Sequence, residues 1–167
     1  QSMVFVELKK KYRKIVYKRR ISLPQEEAVS WVLGEIPCPQ HTQISDEIDY
    51  FLSYYGSRYP VVFLSYEREA FYAKDQSDFR ITLDNNILCR RQDLSLGSEI
   101  YGTPLLSPER TLMEIKCSGG IPIWLIRVLS QERIYKTSFS KYGMAYQTMI
   151  FPKRMKEVKC YAWRIIS

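Results

Sequence analysis

Hydrophobic and polar positions alternate from the first residues of the chain. Val4, Val6 and Leu8 point one way and Glu7, Lys9 and Lys11 the other, the period-two pattern of a half-buried strand. Residues 15–22 repeat it, with Ile15, Tyr17 and Ile21 against Lys18, Arg20 and Ser22. A short turn at Arg13-Lys14 joins the two as a hairpin, although it lacks the Asn-Gly or Gly signal that two-residue loops favour. The period then lengthens. Ser22 and Pro24 mark an N-cap region and a first-turn proline, followed by Glu26, Glu27 and the apolar Ala28, Val29, Val32 and Leu33, which predicts a helix. A second helix is predicted from about Thr42 to Tyr55, with Ile44, Ile48, Phe51 and Leu52 on one face and Gly56 at its end.

Alternation returns at Val61–Tyr72 and Phe79–Asp84. Asp84-Asn85-Asn86 reads as a turn into a short strand around Ile87–Arg91. A loop through Gly97 and Gly102 leads to a strand at Thr111–Cys117, where Met113, Ile115 and Cys117 oppose Leu112, Glu114 and Lys116. Ser118-Gly119-Gly120 stops it, and Pro122 opens an apolar helix carrying Trp124, Leu125, Val128 and Leu129. A last short helix is predicted near Phe139–Tyr146. Residues 149–167, with Lys153, Arg154, Lys156 and Lys159, form a basic tail without a clear pattern. The elements describe one α+β domain, with helices whose apolar stripes cover the aliphatic side of an antiparallel sheet.

The other side of that sheet is charged. Collected by strand parity, it carries Glu7, Lys9, Lys11, Lys18, Arg20, Arg80, Asp84, Glu114 and Lys116, with Arg68 and Tyr66 together on one face of a more mixed strand. A solvated face is the ordinary meaning of charge on a strand, but Lys and Arg dominate here. Cations on rigid strands form a phosphate clamp, Arg bidentate and Lys as a point charge. Carboxylates set among them suit Mg²⁺ or Mn²⁺, which take one or two carboxylates plus substrate phosphates. The ligand implied is a polyanion of several phosphates carried with a divalent metal.

Composition sharpens this picture. The chain has 167 residues and a formal net charge of +7. Residues 1–20 hold eight basic side chains and one acid, so the whole excess lies in the hairpin and the remainder sums to zero. Cys38, Cys89, Cys117 and Cys160 are scattered and there is a single histidine, His41, set in a polar helical stretch. Zinc binding and Ser-His-Asp or Cys-His chemistry are therefore disfavoured, and free thiols in a reducing cytosol are expected. No phosphate loop of the GxxxxGK[ST] or GxGxxG kind is present, and no apolar run reaches the roughly 18 to 20 residues that span a membrane. The cations share strand parity without Arg/aromatic interleaving, which argues against a specific nucleic-acid surface.

The Glu7-x-Lys9-x-Lys11 strand resembles the ExKxK strand of triphosphate tunnel metalloenzymes, the CYTH-like superfamily. The ordered series ELKKKY, IVYKRR, SYEREAFY, FRITLDNNI, LMEIKCSGGIPIWL and TSFSKYG resembles the VTC domain, a polyphosphate polymerase domain, over residues 3–148. The resemblance implies an antiparallel β-tunnel, here an incomplete barrel, with a basic interior and helices packed outside. It implies transfer of the γ-phosphate of ATP to polyphosphate, with release of ADP and with Mn²⁺ or Mg²⁺ as cofactor. It assigns Lys9, Arg68, Arg80 and Lys141 to catalysis and Lys11, Lys18, Arg20, Tyr66, Lys116 and Ser140 to substrate binding. Glu114 falls to the metal, with Glu7 as a second acid. The family's domain normally begins earlier, with strands that include a K-x-R-x-R pattern, so residues 1–148 are expected to be N-terminally truncated and to self-associate through exposed strand edges. A tunnel triphosphatase and a non-catalytic polyphosphate-binding module are the alternatives, and a cytoplasmic setting is expected.

Overall fold

In the computed structural model the described residues are 2–13, 15–56, 59–74 and 78–151. The chain divides into two compact units, 1–60 and 61–167. The predicted basic tail, from residue 152 onward, and Cys160 lie outside the described residues, as do Lys14 of the predicted turn and the side chain of Lys11.

In the first unit, strand β1 (Met3–Tyr12) pairs antiparallel with β2 (Ile15–Pro24), and the Tyr12–Ile15 partnership leaves a two-residue loop. Arg13 in that loop has φ +46°, a left-handed conformation normally given to Gly or Asn. Val4 pairs with Leu23 and Val6 with Ile21. This apolar face packs on helices α1 (Gln25–Leu33) and α2 (Gln43–Tyr55) around Leu8, Ile21, Leu23, Ala28, Trp31, Cys38 and Ile48. Trp31, buried, donates its indole N–H to Asp49 at 2.9 Å and so ties α1 to α2.

Both helix ends obey local rules. Thr42 and Ser45 form a reciprocal capping box at the start of α2, and Gly34 and Gly56 terminate the two helices in left-handed geometry. His41 precedes the cap of α2 and is exposed, rather than lying in the helix.

In the second unit the central strand is β4 (Arg80–Arg90). It pairs along its length with β3 (Phe63–Tyr72). Its other edge is shared between β6 (Leu112–Lys116), on residues 80–84, and the two-residue β5 (Thr103–Pro104), on residues 88–89. The expected turn at Asp84-Asn85-Asn86, and the separate strand after it, are therefore not formed: β4 runs straight through. An extra residue is accommodated as a bulge opposite Tyr66, where Asn86 adopts φ +48°. Asn tolerates this backbone region at turns and bulges alike. Asn86 donates to Glu67 at 2.8 Å, and Asn85 accepts from Thr111 at 2.6 Å.

Burial along β4 follows the bulge. Before it, the buried positions are Thr82 and Asp84; after it they are Ile87 and Cys89. Ile87 and Cys89 join Leu105 and Ala145 in the core of this unit. Arg90, also buried, lies between the rings of Phe63 and Tyr101 at 3.7 and 4.4 Å. It donates to the carbonyls of Asp93 and Tyr101, which fastens the following loop.

Helix α3 (Ile123–Gln131) starts after Pro122 as expected, but its stripe is not consumed by the sheet. Leu125 is buried and Trp124 meets Phe79 edge-on at 6.2 Å, whereas Ile123, Trp124, Ile126 and Val128 remain exposed. Ile81 and Leu83, on the aliphatic face of β4, are accordingly only half-buried. The expected covering of the aliphatic side is thus met by α1 and α2 on their hairpin and only slightly by α3. Helix α4 (Lys141–Ala145) continues into a turn of π-helix, Tyr146–Ile150. The architecture is α+β with antiparallel sheets, and among the described residues neither sheet closes into a barrel.

Candidate functional site

The charged face of the second unit is built by register. Arg68 lies opposite Asp84, Ala70 opposite Thr82 and Tyr72 opposite Arg80. Across the other edge of β4, Glu114 lies opposite Thr82 and Lys116 opposite Arg80. Because strand side chains alternate, Arg68, Arg80, Asp84, Glu114 and Lys116 share one face.

Asp84 organises this face. It is 0% exposed, and its two oxygens accept from Nε and Nη2 of Arg68 at 2.6 and 2.8 Å. Lys141 donates to the same carboxylate. Burial pushes the Asp84 carboxyl up, but the hydrogen bonds from Arg68 and Lys141 and their charges outweigh it and hold the group below the usual carboxylate range. The hydrogen bond to Asp84, in turn, raises the Arg68 guanidinium further above its already high ordinary value, against the opposing effect of burial and with the Asp84 and Glu114 charges adding to it. Beneath the cations lies Tyr66, its ring centre 5.0 Å from the Arg68 guanidinium carbon and 4.3 Å from Lys141 Nζ. Two cations are thus held at one point by a single negative charge, which leaves the cluster positive.

Lys141 reaches Asp84 because of where its helix is anchored. Ala145, one turn later on the same face of α4, is fully buried in the core with Ile87 and Cys89. Ser140 caps this short helix, accepting from the Gly143 N–H at 3.2 Å. A side chain at Gly143 would crowd Ser140 at 3.2–3.3 Å. The Ser140 hydroxyl is therefore engaged in orienting the turn that carries Lys141.

On the first unit, Glu7 and Lys9 share a face with Arg20 and Lys18 opposite them. Lys9 and Lys18 are directly paired like charges, an arrangement that costs stability unless an anion answers it. Glu7 lies 3.8 Å from Lys18, and Arg20 stacks on Phe5 at 4.6 Å. Lys10 and Arg19 point to the opposite side, as strand parity predicts, and both meet Glu47 of α2. The structure thus brings Arg68, Lys141 and Tyr66 together, sets Arg80, Glu114 and Lys116 beside them on one sheet, and groups Glu7, Lys9, Lys18 and Arg20 on another.

A divalent metal finds a limited donor set. Among the described residues no group of three or more Asp, Glu, His or Cys side chains converges. Glu114 is exposed, paired with Lys116 at 3.1 Å, and available as a lone carboxylate. That fits a cation whose remaining ligands are substrate oxygens and water. Glu7 lies in the other unit.

Asp84 is the functional candidate that sequence reasoning missed. Strand parity puts it on the charged face, yet the Asn-Asn that follows reads as a turn. The signal that identifies it is its parity with Arg80 and Thr82 in FRITLD.

Among the described residues no helix is long and apolar enough to cross a membrane. No curated protein and no solved structure matches the chain. The model of one family, the VTC domain, matches residues 1–150. With nearly the whole chain covered, and with Arg68, Arg80, Glu114 and Lys141 on one structured unit, the protein belongs to the VTC domain family.

Proposed function

We propose that this VTC domain is a phosphotransferase that extends polyphosphate with the γ-phosphate of ATP and releases ADP. Family membership supports a polyphosphate-related function. The observation that carries the reaction itself is the Asp84 cluster: two cations are fixed on a rigid strand face at one buried carboxylate, with Arg80 and Glu114 on the same face.

Phosphoryl transfer demands position and charge neutralisation more than a covalent nucleophile. A terminal oxygen of the acceptor chain attacks the γ-phosphorus, the β–γ bridging P–O bond breaks, and its electrons leave on ADP. Arg68 and Arg80 offer planar donors to the non-bridging oxygens, and Lys141 adds a point charge where negative charge accumulates. Asp84 keeps Arg68 and Lys141 aimed without becoming a ligand itself. Tyr66 supports both cations through its ring face, and Lys116 adds charge at the Arg80 end of the ladder. Lys9, Lys11, Lys18 and Arg20 provide a second run of cations for a long polyanion, with Glu7 among them. A divalent ion held by Glu114 and the substrate phosphates supplies further charge neutralisation when bound. Mn²⁺ and Mg²⁺ both suit that donor set.

Incubation with ATP and Mn²⁺, following ADP, free phosphate and polymer, tests the reading. ADP matched by polymer is the expected result. ADP matched by free phosphate with no polymer makes the protein a triphosphatase, and polyphosphate binding without turnover makes it a binding module; either result overturns the proposal.

A further inference from the structure

The hairpin has a second charged surface, on the side opposite Lys9 and Lys18. Lys10, Tyr12, Tyr17, Arg19 and Glu47 line a cavity of about 350 Å³ there. Lys10 and Tyr17 are cross-strand partners on β1 and β2, and Glu47 projects from α2. Lys10 and Arg19 share that one carboxylate at 3.8 and 3.5 Å, both long for an ion pair, and each keeps about half of its side chain in water. Arg13 stacks over Tyr12 with its guanidinium carbon 5.3 Å from the ring centre. Two cations and one acid thus line the groove beside Tyr12 and Tyr17, which are 60% and 43% exposed, and Arg13 lies over the Tyr12 ring.

Each part of this lining selects a different feature of a ligand. A positive excess on two rigid strands selects an anion, and Arg with Lys suits phosphate oxygens. Exposed aromatic faces beside cations select a flat ring, because bases stack on them whatever their identity. A ringless polyanion leaves the tyrosines without a purpose, and an apolar ligand leaves the cations desolvated. The volume, at the low end of the roughly 300–1,000 Å³ usual for ligand sites, suits a single ring-bearing phosphate. Glu47 is then the internal anion that holds Lys10 and Arg19 in place until a ligand phosphate takes over.

We propose that this groove binds a nucleotide of mononucleotide size, its base on Tyr12 and Tyr17 and its phosphate at Lys10 and Arg19. The groove shares no residue with those invoked for phosphotransfer, so transfer from ATP to polyphosphate and nucleotide binding at the groove can fail independently.

Adenosine 5′-monophosphate is the probe, titrated against the full chain by equilibrium dialysis, with circular dichroism to confirm that each variant is folded. Saturable binding is expected, weakened about tenfold or more in Lys10→Ala/Arg19→Ala, where two charge-assisted hydrogen bonds are lost. It should also weaken in Tyr12→Leu/Tyr17→Leu and stay unchanged in Lys9→Ala/Lys18→Ala on the opposite face. Glu47→Gln, which removes the competing charge and keeps the side chain's shape, should tighten binding about fivefold, the effect of one unit charge at contact distance in water. The proposal is overturned by the absence of saturable binding, by inorganic phosphate competing as well as the nucleotide, or by loss of binding in Lys9→Ala/Lys18→Ala. It is equally overturned if Glu47→Gln leaves the affinity unchanged, or if an oligonucleotide binds that the mononucleotide cannot displace.

Discussion

Arg68 and Asp84 face each other across the β3–β4 ladder, and both oxygens of the buried carboxylate accept guanidinium nitrogens, at 2.6 and 2.8 Å. Removing the charge from such a pair strands its partners. Asp84→Asn should cost about 3 kcal/mol, the lower end of the range for breaking a buried pair, because 37% of the Arg68 side chain stays in water. Urea denaturation of wild type and variant measures the difference.

The same carboxylate sets an acid limit on stability. Its folded value lies below the ordinary one, so the unfolded chain binds the proton more readily. Stability should therefore rise with pH between the folded value and the unfolded value of about 3.9, be complete above it, and be lost as pH falls through the folded value. In Asp84→Asn this part of the pH dependence should vanish. Denaturation curves from pH 2 to 7, taken for both proteins, check the sign.

Arg80 and Lys141 should separate stability from turnover. Arg80 is exposed at the start of β4, so Arg80→Ala should leave the unfolding free energy within about 0.5 kcal/mol of wild type. It should lower ADP release about a hundredfold, as loss of a charge-stabilising donor does. Lys141→Ala should lower both, since Lys141 also answers Asp84.

Glu114 is expected to govern metal dependence. Its pairing with Lys116 is exposed and contributes little to stability, so Glu114→Gln should melt like wild type. The Mn²⁺ concentration giving half-maximal ADP release should rise at least about tenfold, in line with disturbed metal sites elsewhere. An unchanged Mn²⁺ dependence would remove Glu114 from the metal.

The bulge offers a backbone test. Asn86 holds φ +48°, which glycine adopts freely and β-branched residues resist. Asn86→Gly should be nearly neutral, whereas Asn86→Val should cost about 1–2 kcal/mol. Thermal denaturation of the two variants distinguishes them.

Strand parity and helix punctuation carried most of what was legible. Val4, Val6 and Ile21 against Lys9 and Lys18 placed both faces of the hairpin, including the turn of Lys10 and Arg19 away from Lys9 and Lys18. Thr42 and Gly56 marked α2 within a residue of its ends, because capping is a local matter of side-chain oxygen and left-handed backbone. Asp84-Asn85-Asn86 misled because the residue types that make turns also make bulges; only pairing with Ser65 and Glu67 on β3 tells them apart. The α3 stripe misled differently. Periodicity states that Trp124 and Val128 share an apolar surface and is silent on what covers it. Asp84 as the meeting point of Arg68 and Lys141 joins residues far apart in the chain, which no local pattern encodes.

The extra residue in β4 has a further meaning for how this chain tolerates change. Ahead of it, even-numbered positions carry the ionic cluster; beyond it, odd-numbered Ile87 and Cys89 occupy the same side of the sheet and receive α4. Asn86 acts as a phase shift between an ionic half and an apolar half of one strand. Substitution leaves that phase intact, but deletion of the single residue would invert it, turning Ile87 and Cys89 to the outside while Asp84 stayed in. The strand should therefore survive substitution at this position at the cost of local backbone strain alone, but no change in its length.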